Sequence, residues 1–230
     1  TYGLFDTLKY KKSGILILCG LILLLGALNI ERNMVWKNEL SLWRDTYKKS
    51  PDKLRPLINL ARAHSIEGNS EVAVRFYEEA LLKGPGVFVV QYNLGELYLN
   101  KGRVEEAILH FESALQLKPE IPESYAKLGE IYLSQNNWKL ADIYFKKCIE
   151  IDSRFSQVFK NLGVLHFYHL KNLKESLLYF SRSLALDPNQ TEANEIKKLL
   201  QQYSKAKLVS NRTFYLLEIL DLQLEYDYLA

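Results

Sequence analysis

The sequence has little of several features on which many enzymes and nucleic-acid-binding proteins depend. It contains two cysteines, Cys19 and Cys148, in very different surroundings, so we expect no disulfide. The net charge is only +3 over 230 residues, and no Lys/Arg block is dense enough to bind phosphates, which argues against nucleic acid. No Gly-rich phosphate loop, nucleophile elbow or HExxH zinc motif is present. The sequence therefore predicts no catalytic residues, no cofactor and no metal.

One long apolar run stands near the start of the chain. Fifteen residues from Gly14 to Leu28 carry no polar side chain, and the run extends to Ile30. A helix of this length spans about 25 Å, at the short end for a hydrocarbon core of about 30 Å, and flanking basic side chains can reach the headgroups. We predict a short cytoplasmic segment over 1–12 and a transmembrane helix over 13–31. A cleaved signal peptide is the alternative, although no small-residue cleavage site follows.

Charge on the two sides of this run predicts its orientation. Lys9, Lys11 and Lys12 precede it, whereas Arg32 is offset by the adjacent Glu31; Lys37 and Arg44 follow soon after and make the bias small. Because basic residues favour the cytoplasmic side, we expect everything after the span to lie on the non-cytoplasmic (periplasmic or lumenal) side.

The remainder of the chain repeats with a period of 34 residues. Four leucines share one register, and each precedes a small residue: Leu60-Ala61, Leu94-Gly95, Leu128-Gly129 and Leu162-Gly163. Prolines at 51, 85 and 119 close three units, and the fourth unit slips by one residue in the turn "HLKNLKE". A period of this length marks paired helices that bury a face only by stacking on their neighbours.

These residues, above all "NLGELYLNKGRVEEAILHFESALQLKP", resemble the tetratricopeptide repeat (TPR) from Leu54 to Pro188. The resemblance implies an all-α, right-handed superhelix of helix-turn-helix repeats that follows the membrane helix. The predicted parts are a half-repeat helix over 34–50, four repeats over 54–87, 88–121, 122–155 and 156–190, a capping helix over 191–207, and an acidic tail over 208–230.

The two ends of the array have their own patterns. Trp36, Leu40, Trp43 and Tyr47 are spaced as one apolar stripe of the half-repeat helix. In the tail, "LDLQLEYDY" alternates apolar and polar residues, and no basic residue follows Arg212. The tail is predicted to form a final helix on the array, a strand added to a partner, or an extended segment in a groove.

The junction between span and repeats carries a second resemblance. Its residues are similar to those of polytopic membrane proteins grouped with the transmembrane-and-TPR O-mannosyltransferase-like glycosyltransferases. The matching residues are Arg32, Asn33, Trp36, Leu42, Trp43, Pro51, Arg55 and Pro56. The resemblance implies, as an alternative function, the C-terminal substrate-recruiting part of such a transferase, without its catalytic membrane helices.

A row of amides recurs in the first helix of the repeats. Asn59, Asn93 and Asn161 share one register, in which Lys127 takes the third place. An asparagine amide can pair with both polar groups of an extended peptide unit, and the O-linked N-acetylglucosamine transferases use a similar ladder in their TPR groove. The alternative is that these amides brace the stacked helices. Other first-helix residues expected to face a partner are Arg55, Arg62, Tyr92, Glu96, Glu130 and Lys160.

Two histidines have the nearest approach to a metal-binding spacing. His166 and His169 lie three residues apart, but no third ligand is evident nearby, and His166 occupies a core position of the repeat. We therefore interpret it as a packing residue. The sequence as a whole predicts a single-pass membrane protein that binds a protein or an extended peptide and catalyses nothing, either as a subunit of a membrane complex or as a homo-oligomer.

Overall fold

The computed structural model describes residues 18–30, 33 and 36–209, and of residues 204–209 it describes the backbone alone. The predicted cytoplasmic segment 1–12, residues 13–17 and 31 of the predicted membrane helix, and residues 210–230 of the predicted tail lie outside the described residues. Within the described residues every regular element is a helix, which confirms the all-α class.

The N-terminal apolar run is helical where it is described. Residues 18–30 form the described part of α1, and their large aliphatic side chains are exposed. A search of the described residues found no helix with both the length and the apolarity needed to cross a bilayer.

The chain divides into two compact units, Thr1–Leu117 and Lys118–Ala230, which we call unit 1 and unit 2. After α1, the helices of unit 1 are α2 (Glu39–Lys49), α3 (Leu54–Ile66), α4 (Ser70–Lys83), α5 (Phe88–Asn100) and α6 (Val104–Leu117). Helix α3 packs on α4, and α5 packs on α6, while α2 covers α3. Besides α1, unit 1 thus contains two helix pairs and the single helix α2.

The single helix α2 has a well-defined start. The Asn38 side chain accepts a hydrogen bond of 2.8 Å from the backbone N–H of Ser41, and the Ser41 hydroxyl oxygen accepts one of 3.3 Å from the backbone N–H of Asn38, which together form a capping box. Trp36 therefore lies before the helix, in a turn, rather than on the apolar stripe predicted for it. The other stripe residues, Leu40, Trp43 and Tyr47, are half-buried.

Unit 2 contains α7 (Pro122–Ser134), α8 (Trp138–Ile151), α9 (Ser156–Val164), α10 (Leu173–Leu186) and α11 (Ala193–Val209). Helix α7 packs on α8, and α9 packs on α10. The last helix, α11, contacts α10 and buries Ala193 and Ile196 at its start. It therefore covers the end of the last pair, where the sequence places a capping helix.

Small residues allow the two helices of each pair to approach closely. A Cβ added to Gly95 of α5 would lie 2.8 Å from Cε1 of Phe111 on α6, and one added to Gly163 of α9 would lie 2.5 Å from Cδ1 of Phe180 on α10. Both rings are buried. Because a real Cβ cannot approach so closely, only glycine admits the ring at these positions.

The turns between paired helices share one backbone conformation. Gly68 (φ 79°) and Gly102 (φ 73°) adopt positive φ in unit 1, and Asn136 (φ 58°) and Lys171 (φ 50°) do so in unit 2. Glycine adopts this conformation without steric cost and asparagine tolerates it, whereas lysine is strained. The interval between the first two positions is 34 residues and that between the last two is 35.

The extra residue of the fourth repeat lies in its first helix. Residues Leu165–His169 form a π-helical turn, in which the Leu170 N–H donates to the Leu165 carbonyl over 3.0 Å. The predicted slip in "HLKNLKE" is thus placed too late, because the widened turn ends where that segment begins. A π turn accommodates one additional residue in a helix without ending it.

Candidate functional site

The first helix of each pair in unit 1 leaves one face uncovered. Along α3 and α5, residues spaced by four, three and four positions are exposed or half-buried, while the opposite faces supply the core. We call these two rows the open stripes of unit 1: they consist of Arg55, Asn59, Arg62 and Ile66 on α3, and Val89, Asn93, Glu96 and Asn100 on α5.

Unit 2 repeats this arrangement with different chemistry. Its open stripes consist of Glu123, Lys127, Glu130 and Ser134 on α7, and of Gln157, Asn161 and Val164 on α9 together with Tyr168 in the π turn that continues it; we call the second row the α9 stripe. Lys127 and Glu130 form an ion pair of 3.6 Å between the ammonium and Oε2. The α7 stripe is therefore charged, with its two signs partly neutralising each other, whereas the α9 stripe is uncharged.

Two apolar side chains on the open stripes of unit 1 were not among the predicted site residues. Ile66 is 67% exposed and Val89 is 39% exposed. The sequence does contain a signal for them, because both lie in the spacing that the asparagines define. An apolar side chain held in water on an ordered helix is a contact surface that a partner can cover.

Asn93 makes the clearest polar contact of the amide row. Its Nδ2 donates to the hydroxyl oxygen of Tyr77 over 3.0 Å, and Tyr77 lies on the preceding helix α4. Burial raises the pKa of Tyr77 to about 12, an effect that the bond from Asn93 opposes. A buried phenol needs a hydrogen-bond partner, so Asn93 braces the helix stack as the alternative interpretation predicts at this position.

The same brace is not available to the other two asparagines. Sixteen residues before Asn93 stands Tyr77, but sixteen before Asn59 stands Trp43 and sixteen before Asn161 stands Phe145. The Trp43 indole donates to Glu39, and a phenylalanine ring has no hydrogen-bonding group. Asn161 instead accepts a bond of 3.1 Å from Gln157 on its own stripe.

We expect Asn93→Ala to lower the free energy of unfolding by about 1–2 kcal/mol, because it leaves the buried Tyr77 hydroxyl without its partner. Urea denaturation of a double-mutant cycle with Tyr77→Phe measures the contact itself. The matched control is Asn161→Ala, which should change stability by less than about 0.5 kcal/mol. A cost of Asn93→Ala that is unchanged in the Tyr77→Phe background would contradict the brace.

The predicted cationic residues are engaged within the molecule to different degrees. Arg62 pairs with Glu39 of α2, and the Lys160 ammonium lies 2.8 Å from Oε2 of Glu192. The hydrogen bond from Lys160 lowers the pKa of Glu192. Arg55 is exposed at the start of α3. Of the four predicted cations, Lys127 pairs with Glu130 on its own helix, Arg62 ties α3 to α2, and Lys160 ties α9 to the turn that precedes α11.

The remaining predicted residues have packing contacts. Tyr92 is half-buried and meets Phe111 edge-to-face, with ring centroids 5.5 Å apart. Glu96 is half-buried on the α5 stripe. Tyr92 therefore belongs to the packing of the α5–α6 pair rather than to an open stripe.

His166 and His169 are directed to different neighbours by the π turn. His166 is buried, and its Nε2 lies 2.8 Å from Oδ1 of Asp142. His169 stacks on Trp138 with ring centroids 3.7 Å apart. In the part of the chain that the structure describes, no group of three or more metal-ligating side chains has a geometry suited to a metal ion. The buried thiol of Cys148 has its pKa raised to about 12 by burial, so it is a poor nucleophile.

Comparison with known families confirms the nature of the repeats. Residues 95–136 match the profile of a TPR repeat family, and residues 122–155 match that of a tetratricopeptide repeat family. The chain contains tetratricopeptide repeats. A search of curated proteins found no match.

Solved TPR structures share the fold. YrrB, described as a TPR protein with an unusual peptide-binding site, aligns with a TM-score of 0.60 and 23% identity over 71% of this chain and 84% of its own. MamA aligns with a TM-score of 0.58 and 19% identity over 66% of this chain and 89% of its own. MamA from Desulfovibrio magneticus RS-1 aligns with a TM-score of 0.58 and 18% identity, over 71% and 94%. The comparisons lend no support to the O-mannosyltransferase-like resemblance, which stays a prediction.

Proposed function

We propose that this chain is a membrane-anchored scaffold whose TPR repeats bind a protein partner through the open stripes. The partner contributes an extended segment that covers Ile66 and Val89 and pairs its backbone with the amide of Asn59. The chain itself supplies no catalytic group to this function.

The observation that carries the proposal is the composition of the open stripes in unit 1. Two exposed apolar side chains, Ile66 and Val89, lie among amide and charged groups on helices α3 and α5, which contact each other. Apolar contacts surrounded by polar groups are the usual composition of a protein-binding surface. Asn59 lies on the same stripe as Ile66, and its register partner Trp43 is engaged elsewhere. Its amide therefore suits a partner's backbone better than a brace.

A peptide partner also agrees with the fold relatives. The description of YrrB assigns that protein a peptide-binding site. Because the likeness is of fold alone, it supports the class of ligand, and the residues proposed here come from this chain.

Membrane attachment is the second part of the proposal. The apolar run from Gly14 to Ile30 and the exposed aliphatic side chains of residues 18–30 favour an apolar environment for α1. Lys9, Lys11 and Lys12 precede the run while Lys37 and Arg44 follow it, so the charge bias is small, and it is on this bias that we propose a non-cytoplasmic location for the repeats.

Site-specific photocrosslinking tests the protein-binding surface. A benzophenone amino acid introduced at Ile66 in native membranes should form a covalent adduct of one defined mass. The matched position is Leu82, which is 87% exposed on α4 and lies off the open stripes. Asn59→Ala in the Ile66-labelled protein should lower the adduct yield roughly fivefold, since one net hydrogen bond contributes about 1 kcal/mol.

The outcomes separate binding at the stripe from nonspecific contact. Equal adduct yields at positions 66 and 82 would show that the partner does not bind preferentially at the stripe. A yield at position 66 that is unaffected by Asn59→Ala, with helicity unchanged, would assign Asn59 no part in binding. Asn93 is left intact in this test because its replacement is expected to affect stability.

A further inference from the structure

A cluster of basic residues and one tryptophan lie exposed on α2 and just before it. Lys37, Arg44 and Lys48 are exposed and form no ion pair within the described residues. Arg44 and Lys48 are four residues apart on α2, so they lie on one side of the helix, and Lys37 stands just before it. We call Trp36, Lys37, Arg44 and Lys48 the basic strip.

The acidic residues of α2 do not neutralise the strip. Glu39 pairs with Arg62 of α3, and Asp45 pairs with Lys49 over 2.6 Å. The other side of the helix is committed to packing, since α2 covers α3 and the Tyr47 hydroxyl donates to Glu79 of α4 over 3.1 Å. Lys37 before α2 and Arg44 and Lys48 on it are thus exposed without an ion pair among the described residues, since Asp45, the carboxylate next to Arg44, pairs with Lys49.

Trp36 differs from the other two tryptophans of the chain. It is 61% exposed, whereas the Trp43 indole donates to Glu39 and Trp138 stacks on His169. An indole has an apolar body and one N–H, which is why tryptophan is enriched where a membrane meets water. A tryptophan left exposed beside a cationic helix fits such a boundary.

The chain places the strip close to the end of the apolar run. The backbone N–H of Trp36 donates to the carbonyl oxygen of Asn33 over 3.1 Å, and this bond closes a turn. Asn33 stands three positions after Ile30, so their Cα atoms are at most about 11 Å apart, and the turn from Asn33 to Trp36 adds no more than about 7 Å. The headgroup layer extends on the order of 5–8 Å beyond the hydrocarbon on each side of a bilayer. Trp36 and the start of α2 are therefore within reach of the headgroups when α1 is inserted.

We infer that the basic strip binds the anionic headgroups of the bilayer that holds α1, with the Trp36 indole at the boundary of the acyl chains. This inference rests on the membrane anchor of the proposed function. Unpaired cations gain free energy beside an anionic lipid surface, and the gain falls with salt. The strip holds α2 against the membrane, so the repeats of unit 1 lie at the membrane surface and do not move independently of α1.

The test uses the full chain reconstituted in vesicles of phosphatidylcholine alone or mixed equally with phosphatidylglycerol. Amide hydrogen exchange of α2 reports binding of the strip. Exchange should be roughly fivefold slower or more in the anionic vesicles, because even one basic residue near an anionic surface contributes about a fivefold preference. The variant Lys37→Gln/Arg44→Gln/Lys48→Gln should lose this dependence on lipid.

A matched variant controls for the change in total charge. Lys139→Gln/Lys197→Gln/Lys198→Gln removes three exposed lysines from unit 2 and should retain the slow exchange of α2 in anionic vesicles. Quenching of tryptophan fluorescence by lipids brominated near the headgroup reports Trp36. The quenching should be lost largely in Trp36→Phe, which retains the other two tryptophans.

Alkaline carbonate extraction of the same vesicles separates failure of the anchor from failure of the strip. Protein that stays in the membrane, with α2 exchange equal in the two lipids, would overturn the strip and leave the anchor standing. Protein released by carbonate would overturn both. If α2 exchanged equally slowly in neutral and anionic vesicles, headgroup charge would be excluded as the ligand. The same would follow if the control variant lost the dependence on lipid as fully as the strip variant does. No protein partner is present, so an acidic protein cannot produce the expected result.

Discussion

Phe111→Ala is expected to lower the free energy of unfolding by about 3–5 kcal/mol, the largest stability effect that we predict for this chain. The Phe111 side chain is fully buried, and its ring lies against Gly95 of the facing helix α5. Glycine has no side chain that can move into the vacated space, so the site cannot collapse. The loss therefore includes both the transfer free energy of the ring and the cost of the cavity. Urea denaturation followed by circular dichroism measures it.

The control for this substitution lies two residues away. Leu109 is on the same helix α6 and is 60% exposed. Leu109→Ala removes an aliphatic side chain without leaving a cavity, and we expect a change of less than about 0.5 kcal/mol. Equal effects of the two substitutions would show that Phe111 does not anchor the α5–α6 pair.

Gly129→Ala is expected to destabilise unit 2 by about 2–3 kcal/mol, because it adds volume at a tightly packed helix contact instead of leaving a cavity. The added Cβ would lie 2.5 Å from Cε1 of Phe145, whose ring is fully buried and held on all sides. The helices must separate or the ring must leave its preferred rotamer. Alanine has the higher intrinsic helix propensity by about 1 kcal/mol, so a net loss here reports the clash and not the backbone.

Two further variants isolate that clash. Gly86→Ala makes the same chemical change in an exposed turn where no atom lies within 4 Å of the added Cβ, and it should cost little. Phe145→Leu gives the new methyl group room, so the double variant with Gly129→Ala should be more stable than the sum of the single effects predicts. Strict additivity of the two would rule out direct contact between them.

Much of the helical framework follows from the sequence because each repeat uses the same contacts. The 34-residue interval from Leu60 to Leu94 predicts paired helices, and the small residues after these leucines predict a close approach of the two helices. The fold therefore requires only the contacts within a repeat and those between neighbouring repeats, which recur along the array. The site cannot be predicted in this way, because each open stripe carries its own side chains on that common framework.

The parts of the site that the sequence did not predict depend on contacts outside the repeat. The link between Asn93 and Tyr77 exists because one hydroxyl replaces a hydrogen at a core position, which the periodic pattern treats as equivalent to phenylalanine. The pairing of Arg62 with Glu39 joins a repeat to a helix that is not one. The exposure of Trp36 follows from the capping box at Asn38, which starts α2 later than its apolar spacing suggests.

The π turn at Leu165–His169 has a consequence for how this array can change by mutation. Inserting one residue into a regular α-helix rotates everything beyond it by about 100° and would turn a buried face towards water. Here Gly163 still meets the ring of Phe180, as Gly129 meets Phe145, although the intervals differ by one residue. The widened turn confines the disturbance to five residues. A lineage can therefore gain a codon inside a repeat and keep the stack beyond it in register, which leaves the inserted segment free to diverge.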